Sequence, residues 1–203
     1  MRSRRRPLSR TVNVSASSYV SQSKGVTLTS NQTLSFQLTR QSTTLPPSPP
    51  PSGAAVIGFS GLTANGASVS TYMESGLTVS AASGPWEAST TYGNPAPFIQ
   101  FYAAPGTTVA GEVRVTAGGS IFSFYSVDLY SSTTPIPYTI TGLRNASPVF
   151  TVKDTLPNTF GNFRTVANPN ASALIDAVSI VLTNTAGIAG RNPMGLDTIV
   201  LTR

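Results

Sequence analysis

The chain has 203 residues and a formal net charge of +6, with seven acidic residues, no His and no Cys. Ser-His-Asp and Cys-His nucleophile pairs are therefore excluded, as are thiolate and imidazole metal sites, haem and iron–sulfur attachment, and disulfides. Any catalysis is left to carboxylates, Lys, Tyr or a hard metal, so the balance of chemistry favours binding or structural work.

The charge is unevenly spread. Residues 1–53 hold seven basic groups and no acid, and residues 54–203 hold six basic groups against all seven acids. The larger part is thus near neutral and offers no general polyanion footprint, so nucleic acid is not an expected partner. The Arg2-Ser3-Arg4-Arg5-Arg6 run and the rest of 1–10 read as a basic disordered tail. Pro7-Leu8-Ser9-Arg10 follows where an export signal would begin its apolar run, and nowhere is there an apolar stretch long enough to span a bilayer.

Alternation at Thr11–Ala16, Val26–Thr29 and Thr33–Leu38 predicts three short strands with one apolar face. Five prolines in the six positions 46–51 then predict a semi-rigid spacer over 45–53. From 54 to 203, strand signals recur every 8–14 residues, near 55–60, 67–72, 76–82, 97–103, 108–116, 121–130, 136–142, 147–153, 161–167, 174–183 and 195–202. Turn-type separators such as Ala64-Asn65-Gly66 and Asn168-Pro169-Asn170 lie between them. No segment carries a helical stripe over three turns. In Phe122–Tyr130 the apolar phase slips by one residue, which predicts a bulge near Tyr125-Ser126. The expected fold is all-β: a two-sheet, jelly-roll-like β-sandwich over 54–203, preceded by a small β unit over 11–44.

Two resemblances sharpen this. Val12–Tyr19, Val26-Thr27-Leu28 and Thr33–Leu38 resemble the closing half of a carboxypeptidase regulatory-like module, which implies a partial immunoglobulin-like unit and the C-terminal part of a longer secreted protein. Phe59–Leu62, Val69–Val79, Val127–Tyr130 and Gly195–Ile199 resemble bacterial secreted β-sandwich modules akin to carbohydrate-binding jelly rolls. Ser60 and Thr198 depart from that pattern. The resemblance implies a secreted or cell-surface, non-catalytic, monomeric module that binds a polysaccharide or glycan. It also implies a structural calcium shared by a first-strand and a last-strand acid; Asp197 stands at the last-strand place, and with Ser60 at the first-strand place Glu74 is the nearest acid of the opening segment.

The 84–98 segment is rich in Gly and Pro and holds the only Trp. Trp86 and Tyr92 offer aromatic faces for sugar rings, with Glu87 and Asn94 as polar partners; the alternative is that both rings turn inward and plug the sandwich. Tyr130 and Tyr138 form a second aromatic candidate. A glycosidase would need two carboxylates facing a cleft, drawn from Glu74, Glu87, Glu112 and Asp128. A structural or adhesin spacer is the other reading.

Overall fold

The computed structural model describes residues 8–14, 22–28, 31, 33–37, 52–93, 95–102, 106–184 and 192–203. The chain divides into two compact units, 1–46 and 47–203. Among the described residues there is no helix, and so none that is long and apolar enough to cross a membrane.

In the first unit, β1 (Leu8–Val14) and β2 (Gln22–Leu28) form an antiparallel pair with Val12 opposite Lys24. Leu8 to Arg10, expected in the tail, lie in β1 because this pairing reaches them. The third expected strand is not found among the described residues, and its last residue, Leu38, lies outside them. Thr33 to Gln37 alternate between exposed and half-buried, yet belong to no strand. Alternation marks a face, but a strand also needs a ladder partner. The Ser15–Tyr19 part of the immunoglobulin-like resemblance lies outside the described residues.

Among the described residues of the second unit, twelve strands build two sheets. They are β3 (Ala55–Ile57), β4 (Thr71–Glu74), β5 (Leu77–Ser83), β6 (Glu87–Ser89), β7 (Phe98–Phe101) and β8 (Val109–Thr116), followed by β9 (Ser123–Ser131), β10 (Ile136–Arg144), β11 (Ser147–Leu156), β12 (Phe163–Ala167), β13 (Ala177–Asn184) and β14 (Met194–Thr202). The first sheet runs β11-β10-β13-β8-β5-β4 and the second β12-β9-β14-β7-β6, all antiparallel. Successive strands repeatedly cross from one sheet to the other, as in a jelly roll.

The inner faces of the two sheets meet in one core, with Val113, Val115, Ile140 and Ile180 from the first sheet and Ile99, Phe101, Leu129 and Leu196 from the second. The outer face of the first sheet is a carpet of hydroxyls: Thr78 opposes Thr116, and Ser80, Arg114, Ser179 and Thr141 form one row. This is where much of the Ser and Thr in the composition is used.

Two irregularities in β14 shape the second sheet. Its edge away from β9 pairs with β7 at Met194 to Leu196 and with β3 at Ile199 to Leu201, so neither neighbour covers Asp197 and Thr198. In that gap Thr198 takes φ 44°, and the register against β9 shifts. A compensating extra residue, Tyr125, sits on β9 between Phe124 and Ser126. The phase slip in the sequence marks this bulge.

Some strand limits differ from expectation. The first strand ends at Ile57 because the chain turns at Gly58 and Phe59, where Phe59 has φ 54°. The segment read wholly as a loop contains β6, which pairs with β7 and, on its other edge, with residues 66–69. Three residues are too few to show periodicity.

Candidate functional site

Trp86 points into the core, not into solvent. It is 2 % exposed, stands edge-on to Phe101 at 4.7 Å, and its Nε1 donates to the Ser83 carbonyl at 2.9 Å. Alternation from Glu87 on β6 sets this direction, and burying the large ring is favourable once its N–H finds an acceptor. The expected glycan platform is thereby corrected: Trp86 plugs the sandwich. Tyr138 is buried in the same core, and Tyr130 is fully buried on the opposite face of its sheet. Asn94 lies outside the described residues.

The outer face of the second sheet holds a separate aromatic cluster. Phe98 packs on Tyr130 (5.4 Å between ring centroids) and on Phe163 (5.0 Å), and Tyr130 and Phe163 meet at 5.6 Å. Phe98 and Tyr130 are fully buried yet stand outside the inter-sheet core, with Tyr92 and Gly93 lying against them. Tyr92 stands edge-on to Tyr130 at 6.3 Å, and a Cβ at Gly93 would collide with the Phe98 ring. Burial pushes the Tyr130 hydroxyl up to about 12.

Two aromatic rings remain in solvent at the rim of this cluster. Tyr92 is 54 % exposed and Phe160 is 80 % exposed. The segments that carry them are neighbours, since a Cβ at Gly161 would stand 3.3 Å from the Tyr92 hydroxyl oxygen. Phe160 escaped the sequence reading because it sits in a turn, Pro157–Asn162, just before a predicted strand. The turn is firmly held. The Asn158 side chain accepts from Phe160 N at 2.8 Å and donates to the Thr133 carbonyl at 2.8 Å, and Thr159 Oγ1 donates to the Ser131 carbonyl at 2.8 Å.

Below this rim, Asn192 is fully buried. Its Oδ1 accepts from Thr133 N (2.9 Å) and Thr133 Oγ1 (2.8 Å), and its Nδ2 donates to Thr134 Oγ1 (3.0 Å) and Asn184 Oδ1 (3.3 Å). Ser131 Oγ also donates to the Thr134 carbonyl. These bonds tie the ends of β9, β13 and β14 together and, through Ser131 and Thr133, support the turn that carries Phe160.

The acids are divided among different tasks. Glu74 receives Gly58 N and Phe59 N on Oε2, both at 2.8 Å, and Ser60 Oγ on Oε1 at 2.6 Å. Burial works against its charge, but these hydrogen bonds outweigh it and hold the carboxyl below the usual range. Glu74 thus caps the turn after β3, and both its oxygens are engaged. Asp197, expected as its calcium partner, is 3 % exposed and leaves Oδ1 without a partner. Burial pushes its carboxyl up to about 6; Thr198 pulls against this, and the charges of Asp128 and Glu74 add to it. Among the described residues no three His, Cys, Asp or Glu side chains gather as a metal-ligand group.

Glu112 lies on the first sheet, 3.6 Å from Arg114 and accepting from Ser179 Oγ at 2.8 Å. Glu87 and Asp128 lie on the second. Glu87 accepts from Gln100 Nε2 at 3.1 Å, and Asp128 accepts from Thr165 Oγ1 at 2.5 Å.

No model of a known protein family matches the chain, and no curated protein does. Seventeen solved chains match in structure. One is a DUF4465 family protein from Bacteroides caccae, with TM-score 0.47 and 11 % identity over 74 % of this chain and 99 % of that one. Another is the carbohydrate-binding module TmCBM61 in complex with β-1,4-galactotriose, with TM-score 0.41 and 12 % identity over 70 % and 99 %. A third is a family 16 carbohydrate-binding module, with TM-score 0.35 and 14 % identity over 59 % and 86 %. This chain also spans about a quarter of two longer glycosidase chains, an α-L-arabinofuranosidase and a Ruminococcus gnavus fucosidase. The assignment of the fold stands on the strand order described above.

Proposed function

We propose that residues 54–203 form a non-catalytic, extracellular carbohydrate-binding module whose contact surface is the rim formed by Tyr92 and Phe160. The observation that carries this reading is Phe160: a phenyl ring 80 % exposed on a turn pinned by side-chain hydrogen bonds on both sides. Leaving such a ring in water gains nothing for folding. Holding it rigidly beside a second exposed aromatic lowers the entropy cost of stacking on the C–H face of a sugar. Neighbouring side-chain amides and hydroxyls, Asn158 and Ser132 among them, can serve the ring's hydroxyls.

Affinity electrophoresis of the whole chain against a panel of polysaccharides tests it. Phe160→Ala and Tyr92→Ala should each weaken retention by about 5- to 150-fold, the equivalent of ~1–3 kcal/mol for a lost stacking ring, with little change in melting temperature. Retention unaffected by either change would refute the rim as the contact surface. A structural or adhesin spacer is the second reading, and the burial of Trp86 favours it because the loop's largest ring is spent on the core. Absence of retention on every polysaccharide would decide for the spacer.

A further inference from the structure

We infer, with the carbohydrate-binding reading as premise, that the flank of the sandwich between β11 and β12 is a further saccharide subsite. There Arg164, Tyr138 and Asp154 bind two adjacent hydroxyls of a neutral sugar, next to the ring stacked on Phe160. β11 and β12 are the end strands of their sheets, and no other described strand pairs with their outer edges. Each lies beside one of β9 and β10, which four residues join, and on the side away from β13 and β14, which touch each other across the core. Both edges therefore bound the same flank. The turn that carries Phe160 is the connection from β11 to β12, so it closes one end of that flank.

Strand parity brings three polar groups to its inner side. Tyr138, on the core face of β10, pairs across to Asp154, and Arg164 pairs with the core residue Leu129. Val152 and Val166 pack against the core, and alternation gives Asp154 and Arg164 the same inward direction two residues away. Both charges act on one hydroxyl. Burial pushes the Tyr138 phenol up, the Asp154 carboxylate adds to this, and the Arg164 guanidinium pulls against it.

The three groups nevertheless leave one another unsatisfied. Among the described residues the guanidinium of Arg164 takes part in no ion pair, and neither it nor the Tyr138 hydroxyl makes a hydrogen bond. Asp154 accepts from Thr155 N on Oδ1 at 2.7 Å, which leaves Oδ2 without a partner there. Inward charges on edge strands also discourage strand addition, but that task does not call for opposite charges gathered at one phenol. A sugar diol uses all three groups. One hydroxyl accepts from Arg164 while its neighbour donates to Asp154, and the Tyr138 hydroxyl serves either. A carboxylate on the sugar would suit Arg164 but would meet the Asp154 charge. Asp154 is exposed and Arg164 half-buried, so a ligand reaches them with the Phe160 turn and Tyr92 in place.

The whole chain and its Arg164→Met, Tyr138→Phe, Asp154→Asn and Phe160→Ala variants are run in affinity gels carrying galactan, xylan, glucomannan or polygalacturonate, and the melt of each variant is recorded. On the neutral polymer that holds the wild type most strongly, Arg164→Met should weaken retention about tenfold or more, and Tyr138→Phe several-fold. Both should melt near the wild type. Unchanged retention in folded Arg164→Met and Tyr138→Phe, with Phe160→Ala weakened, overturns the subsite and leaves the rim standing. Unchanged retention together with self-association of Arg164→Met overturns it in favour of edge protection. Strongest retention on polygalacturonate, lost in Arg164→Met and raised in Asp154→Asn, overturns the neutral diol in favour of a carboxylate. No retention in any gel overturns both readings.

Discussion

Asp197 and Asp128 face each other directly across β14 and β9, on the side of the sheet turned away from the core. Asp128 spends an oxygen on the Thr165 hydroxyl, while Asp197 keeps one buried oxygen with nothing to bind. Two like charges side by side, one of them desolvated, make Asp197 a cost to the fold when ionised.

That cost has a definite pH dependence. In the unfolded chain an aspartate titrates near 3.9, whereas in the fold burial first, and then the neighbouring Asp128 and Glu74 charges, push Asp197 up to about 6. The folded state therefore holds this proton more tightly. Its contribution to stability is complete below about pH 4 and is lost as pH rises through about 6. Asp197→Asn should accordingly raise stability at pH 7.5, by on the order of 1–3 kcal/mol. It should also flatten the decline between pH 4 and 6, read from thermal melts across that range. In millimolar calcium the wild-type melt should stay in place; a rise that Asp197→Asn abolishes would instead make Asp197 a calcium ligand.

Trp86→Ala should act on the fold. Removing a buried ring packed on Phe101 leaves a large cavity and an unpaired Ser83 carbonyl. A loss of about 3–5 kcal/mol is expected, seen as a melting temperature lower by roughly 10 °C. A melt within a degree or two of wild type would place the ring in solvent.

Gly195→Ala probes the packing of the second sheet's outer face. An added Cβ would stand 2.7 Å from the Ile99 carbonyl oxygen and 2.8 Å from the Phe98 ring. The oxygen belongs to backbone and cannot yield easily, so destabilisation of about 1–3 kcal/mol should follow. Urea unfolding should show a lower midpoint with an unchanged slope.

Asn192→Ala removes the side-chain hydrogen bonds to Ser131, Thr133, Thr134 and Asn184 within a buried network and leaves the Asn184 carboxamide oxygen without its donor. The expected cost is about 2 kcal/mol or more. Amide exchange should quicken at Thr133 and in the turn that carries Phe160, while the far ends of β9 and β14 stay protected. Uniform acceleration across the sandwich would mean that the network supports the whole fold and not this rim alone.

Much of the architecture was legible along the chain because strand formation is largely local. Alternation with period two, punctuated by Gly, Pro and Asn, located eleven of the twelve sandwich strands. The phase slip at Tyr125-Ser126 even located a bulge. Thr33–Gln37 shows the limit of that signal, since its alternation meets no partner strand. The three-residue β6 shows the opposite limit: its place is set by the neighbours on both its edges and not by its own pattern.

The sequence by itself determined an all-β chain with no thiol or imidazole chemistry and a short list of aromatics and acids from which any site must be drawn; the proline-rich spacer expected over 45–53 lies, up to residue 51, outside the described residues. Which of those residues face a ligand was decided only by the tertiary structure. Tryptophan is at home both in a core and on a sugar, and it is strand parity at β6 together with the position of Phe101 that turned Trp86 inward. Phe160 is an ordinary apolar residue in the sequence; hydrogen bonds from residues 25 to 28 positions away hold its turn and leave the ring in water. Glu74 and Asp197 lie 123 positions apart in the numbering, and the fold gave one a set of N–H donors and the other a buried, unpaired oxygen. Burial and partnership depend on several distant segments at once, and spacing along one chain does not encode them.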